Sequence, residues 1–90
     1  MALTIWKKTK PIGDEVALIL PAPCAVVHIA CETPDSVTFW AEVDPDEDAV
    51  TRTFYVRGTG HLVPLDAEHV VSCVARPFVW HIYRKDEVVA

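Results

Sequence analysis

Apolar and polar side chains alternate along most of this chain with a period of two, the spacing of strands that turn one face to a core. Thr4 to Lys8 sets Trp6 against Ile5 and Lys7 before Pro11 and Gly13 interrupt it. Glu15 to Leu20 follows as a short apolar run, and its length and the Pro21-Ala22-Pro23 break favour a strand over a helix. Ala25 to Cys31 places Ala25, Val27, Ile29 and Cys31 opposite Val26, His28 and Ala30, so both faces are largely apolar and one is expected to meet a partner. Ser36 to Val43 turns Val37, Phe39, Ala41 and Val43 inward and leaves Trp40 among polar neighbours on the other face. From Val50, Arg52, Phe54 and Val56 share one face and Thr53, Tyr55 and Arg57 the other, so each face carries an arginine. After His61 the spacing predicts a loop over Leu62 to Asp66, a single helical turn between Asp66 and His69, and strands over Val70 to Ala75 and Phe78 to Tyr83.

About seven short strands with turn signals at near-regular spacing predict one all-β domain over residues 1–90, a small antiparallel sandwich or open barrel. A chain of 90 residues that is 51% hydrophobic buries a modest core, so a homo-oligomer is expected, because an interface hides apolar surface that a lone small domain leaves wet. Thirteen acidic residues against eight Lys and Arg give a net charge of −5, which argues against general nucleic-acid binding and confines any anion site to a local cationic pocket. No apolar run is long enough for a membrane helix, and no signal-peptide core follows Lys7, Lys8 and Lys10, so a cytoplasmic location is expected. Cys24, Cys31 and Cys73 form an odd set without metal-ligand spacing and read as reduced, packed thiols.

Candidate chemistry concentrates at Arg57-Gly58-Thr59-Gly60-His61, which uses two of the three glycines in the chain. Two glycines permit positive φ and a nest of backbone N–H groups for an anion, with Arg57 and His61 adding charge and a hydrogen bond. The competing reading is a tight turn capped by His61. Arg52 and Trp40 complete the candidate set, the first for phosphate and the second for stacking on a planar ring. Asp44-Pro45-Asp46-Glu47-Asp48 lacks the glycine and the final carboxylate of a calcium loop, with Ala49 and Tyr55 at those places, and reads as a solvated turn. Cys24, His28 and Cys31 do not converge along one strand, so no metal and no cofactor are expected. Only two serines occur, neither in a nucleophile-elbow context. His61 with Asp66, or His81 with Glu42, would be acid–base pairs if the fold joined them; no catalytic residue is assigned.

Thr4-Ile5-Trp6-Lys7, Trp40-Ala41-Glu42-Val43-Asp44-Pro45, Arg52 with Phe54, Gly58-Thr59-Gly60-His61 and Val79-Trp80-His81-Ile82-Tyr83 together resemble a family of short proteins carried by phages and prophages, over nearly the whole chain. Glu42 departs from that pattern, where an aliphatic residue is usual, as does the lysine-rich Lys7-Lys8-Thr9-Lys10. The resemblance implies a phage accessory protein acting inside a host cell, and the expectation built on it is an anti-defence protein that binds and sequesters a host nucleotide-derived immune signal without catalysis. The alternatives are a module that inhibits a host enzyme or assembles with a phage component, and a nucleotide hydrolase.

Overall fold

The computed structural model describes residues 2–85, which form seven antiparallel strands and no helix. They are β1 (Thr4–Pro11), β2 (Glu15–Pro21), β3 (Cys24–Thr33), β4 (Ser36–Val43), β5 (Ala49–Gly58), β6 (Ala67–Ala75) and β7 (Phe78–Lys85). Two sheets stack, a three-stranded one in the order β1-β4-β3 and a four-stranded one in the order β2-β5-β7-β6. No helix among these residues is long and apolar enough to cross a membrane.

The alternation explains which sheet faces meet. Val37, Phe39, Ala41 and Val43 of β4 are buried against Val16, Leu18 and Leu20 of β2, Phe54 and Val56 of β5 and Ile82 of β7. Phe39 and Phe54 touch across the layers, their ring centroids 4.8 Å apart. Each such ring removes most of its surface from water, which is the main favourable contribution to folding. Along the open β1 edge the Lys8 ammonium lies over the Trp6 ring, its Nζ 5.2 Å from the ring centre, a cation–π contact on the aromatic flank of the core.

Three local expectations are corrected. First, β3 does not keep one phase: Val26 pairs with Ala41 but His28 with Trp40, so Val27 is the extra residue of a β-bulge. Val26 and Ile29 therefore both face the core, and Val27 faces outward. Burying both aliphatics while leaving His28 outside requires that slip. Second, no helical turn forms between Asp66 and His69. The residues from Ala67 onward belong to β6, where Glu68 meets Arg84 in a 2.6 Å ion pair and His69 packs edge-on against Tyr83. Those cross-strand partners exist only if the segment is extended. Third, the acidic turn is not wholly solvated. Asp44 is buried, its Oδ1 accepting the Asp46 N–H and its carbonyl the Glu47 N–H, while Asp46 to Asp48 are exposed.

The three thiols are unbridged. Cys31 of β3 lies beside Cys73 of β6 where the two sheets meet, and Cys73 Sγ donates to the Ile29 carbonyl at 3.8 Å. Burial first, then the nearby Cys73 sulfur and a hydrogen bond with it, push the Cys31 thiol up to about 12. The folded state therefore holds this proton more tightly than the unfolded chain, whose thiol has the ordinary value of 9.0. The associated stability is complete below pH 9.0 and drains away toward pH 12. Its slope stays well under the ~1.4 kcal/mol per pH unit of a fully shielded group, because Cys31 is only half-buried. Urea unfolding is expected to show a midpoint that falls more steeply above pH 9 in the native protein than in Cys31→Ala. Parallel curves would show that the thiol is not shielded.

Candidate functional site

The strand β5 ends at Gly58, the last residue paired with β7, opposite Trp80. There the chain reverses in a four-residue turn closed by the His61 N–H on the Gly58 carbonyl at 3.1 Å. Gly60 has φ +90° and no other residue among those described has a positive φ, so this is a type II turn with glycine at its third position. Gly58 answers a different constraint. The His61 imidazole folds back so that its Nδ1 accepts the Gly58 N–H at 3.2 Å, and a Cβ at Gly58 would stand 3.1 Å from its Cε1. The N–H groups of Gly58 and His61 are thus both turned into the turn itself, which is the capped-turn geometry; neither contributes to an anion nest. With Nδ1 accepting, neutral His61 carries its proton on Nε2, which is then the donor of the ring.

Arg57 fastens this turn. Its Nε donates to the Leu62 carbonyl at 2.9 Å and its Nη1 to the carbonyls of Asp14 at 2.6 Å and Val56 at 3.0 Å. The guanidinium also lies 5.4 Å over the Tyr55 ring. Tyr55 points away from the core yet is buried, and its hydroxyl donates to Asp66 at 3.5 Å. The 62–66 loop is therefore held to the outer face of the four-stranded sheet, with Leu62 and Leu65 fully exposed at 92% and 104%.

Beside the turn a line of polar side chains crosses β7 and β6. Thr59 Oγ1 is 2.9 Å from His81 Nε2, His81 Nδ1 is 2.7 Å from Ser72 Oγ, and Ser72 Oγ is 3.0 Å from His69 Nε2. In a neutral His81 one of these contacts is donated and the other accepted. Arg57, Gly58, Thr59, Gly60 and His61 line a depression of about 200 Å³ together with Val63, His81 and Tyr83. A more open hollow of about 550 Å³ flanks the same turn and shares Arg57, Gly60 and His61 with it.

The other two candidates lie elsewhere. Trp40 is half-buried on the outer face of the three-stranded sheet, between Lys7, whose Nζ is 5.5 Å from the ring centre, and His28, whose ring is 5.2 Å away. Arg52 faces the space between the sheets, where its Nε donates to Cys24 Sγ at 3.4 Å, and lines a cleft of about 340 Å³ with Phe54, Arg84 and Lys85. The seven candidates thus occupy three separate surfaces. Arg52 and Arg57 are an odd number of residues apart on one strand and cannot share a face. Neither acid–base pair forms: Glu42 and His81 stand on different sheets, and the His61 ring is engaged with Gly58 while Asp66 accepts from Tyr55. Sequence reasoning missed Ser72, His69, Tyr83, Arg84 and Lys85.

No curated protein and no solved structure matches this chain. A family model does, over residues 1–90: the chain belongs to the family described as a domain of unknown function, DUF7352.

Proposed function

We propose that the protein is a non-catalytic binding module that holds a small anionic ligand of the nucleotide-derived class against the Gly58 to His61 turn. The observation that supports this best is a convergence of donors and rings: the Thr59 hydroxyl, the His61 Nε2–H, His81 and Tyr83 border one depression, with Arg57 at its edge. A phosphate or other anion would take the hydroxyl, imidazole and guanidinium hydrogen bonds, and a planar ring would find Tyr83 to pack on. The depression of about 200 Å³ suits one such group, and a ligand lying across the turn would reach the second hollow as well. In the setting suggested by the likeness to phage-borne proteins, this is sequestration of a host signal in the cytoplasm.

Hydrolysis of the same ligand is a second reading, favoured by one observation. Ser72 Oγ is 2.7 Å from His81 Nδ1, and the opposite nitrogen of that ring is held by Thr59, the arrangement in which an imidazole accepts a hydroxyl proton. Calorimetric titration with cyclic and ADP-ribose-type nucleotides is expected to give saturable heat. Thr59→Val should weaken it roughly tenfold, the ~1.4 kcal/mol of one good hydrogen bond, and Trp40→Ala should leave it unchanged. Silence across the panel removes the proposal. Chromatography of the titrated nucleotide decides between the readings: intact ligand supports capture, whereas a product that disappears in Ser72→Ala replaces it with hydrolysis.

A further inference from the structure

Strands β3 and β6 are edges of different sheets, so no backbone ladder joins them, and they meet through their side chains on the flank of the sandwich. Two of the three cysteines stand at that meeting, one on each strand. Cys73 is 8% exposed and belongs to the same core cluster as Ile29, whose carbonyl accepts its S–H at 3.8 Å. Cys31 follows Ile29 by two residues, is half-buried, and packs against that cluster. It also lies in the stretch between Ala30 and Thr33 where the pairing of β3 with β4 slips. An irregular backbone can take up the small displacement that brings two neighbouring sulfurs to bonding distance, about 2 Å. Cys24 has no part in this: along β3 it is roughly 20 Å from Cys31 at the rise of an extended chain, and its sulfur accepts from Arg52.

We propose that Cys31 and Cys73 form a redox site that a low-molecular-weight disulfide closes into an intramolecular bridge, stapling β3 to β6 and so one sheet to the other. The half-buried position of Cys31 makes it the entry point. Its sulfur gives up its proton, attacks one sulfur of the reagent and expels the other half as a thiolate, which takes a proton from water. The Cys73 sulfur then attacks the Cys31 sulfur of this mixed disulfide. The protein S–S bond forms, the second half of the reagent leaves as a thiolate and takes up the Cys73 proton, so two protein thiols are oxidised and one small disulfide is reduced to two thiols. Burial and the neighbouring sulfur, which push the Cys31 thiol up to about 12, leave little thiolate at neutral pH, so the first step is slower than for a free cysteine. The bridge closes a loop that contains all of β4 and β5, one strand from each sheet, and thereby restricts the unfolded chain.

Prolonged incubation of the folded chain with 2-hydroxyethyl disulfide, followed by unfolding, alkylation and peptide mass mapping, is expected to find Cys31 joined to Cys73. The urea midpoint of the oxidised protein should lie above that of the reduced protein and return to it with dithiothreitol. Cys24→Ala should form the same bridge, whereas Cys31→Ala, a change at a half-buried position, should lose both the bridge and the gain in midpoint. Absence of the joined peptide overturns the proposal, as does a bridge that uses Cys24 or links two chains. A closed form no more resistant to urea than the reduced one removes the staple. Thiol oxidation is read without any nucleotide, so its outcome is separate from that of the ligand titration.

Discussion

Replacing Phe39 with alanine is expected to bring this protein to the edge of unfolding at room temperature. Phe39 has no exposed surface and sits on the central strand of the three-stranded sheet, with its ring against Phe54 of the facing sheet. Truncation forfeits the transfer free energy of the ring and leaves a cavity between two layers whose backbones are fixed by their own hydrogen bonds, so collapse is partial. Such changes cost about 3–5 kcal/mol. A domain of this length holds roughly 5–13 kcal/mol in total. The low end of that range would be nearly exhausted. Urea denaturation of the native protein and of Phe39→Ala measures the difference directly, and Phe39→Leu, which keeps most of the volume, should lose much less. A loss below about 1 kcal/mol for the alanine variant would mean that the two sheets do not meet at this residue.

The prominence of Phe39 was legible in the sequence because β4 turns Val37, Phe39, Ala41 and Val43 to one side without a bulge, and β5 and β7 pair in an unbroken register as well. The faces of β3 were misread, and those of β6 were not read at all. Val26 and Ile29, and likewise His69 and Ser72, are three apart, which in a regular strand puts them on opposite faces. A single bulged residue between each pair returns them to one face. In β3 the slip decides which aliphatics enter the core; in β6 it sets His69 and Ser72 within 3.0 Å of each other. Nothing in the local composition at Val27 or Val70 marks an extra residue. The bulges exist because of what the neighbouring strands present, and that information is not local.

The candidate site divides along the same line. Gly58 and Gly60 flagged the turn, since glycine is the residue that allows both the left-handed φ and the close imidazole. The spacing of Arg52 and Arg57 also announced opposite faces. What the sequence did not carry was the pairing of β7 beside β5, which delivers His81 to Thr59, or the return of the 62–66 loop over Tyr55. Those depend on strand order, and period-two patterns are silent about which strands are neighbours.

Arg57 gives the second large effect, and it distinguishes an arginine that builds the site from one that merely waits for an anion. Its Nε and Nη1 tie together the Leu62 carbonyl, the end of β5 and Asp14 in the turn before β2, and that same Asp14 carbonyl also accepts the Val56 N–H at 3.2 Å. Three chain segments therefore meet at one planar fork, which an ammonium cannot reproduce. Arg57→Ala is expected to lose about 2 kcal/mol, the lower part of the range for hydrogen bonds from a charged donor, because the group is partly solvated. Arg57→Lys should recover less than half of it despite keeping the charge, since one ammonium cannot span carbonyls that the guanidinium reaches from different edges. Denaturation midpoints report the loss, and hydrogen exchange of the Val56 amide locates it, with faster exchange in both variants. If Arg57 served only a ligand, both substitutions would leave the free protein within about 0.5 kcal/mol of the native value, as ordinary surface changes do. Restoration of stability by lysine would instead assign the effect to charge, and the fork would lose its role in holding the turn in place.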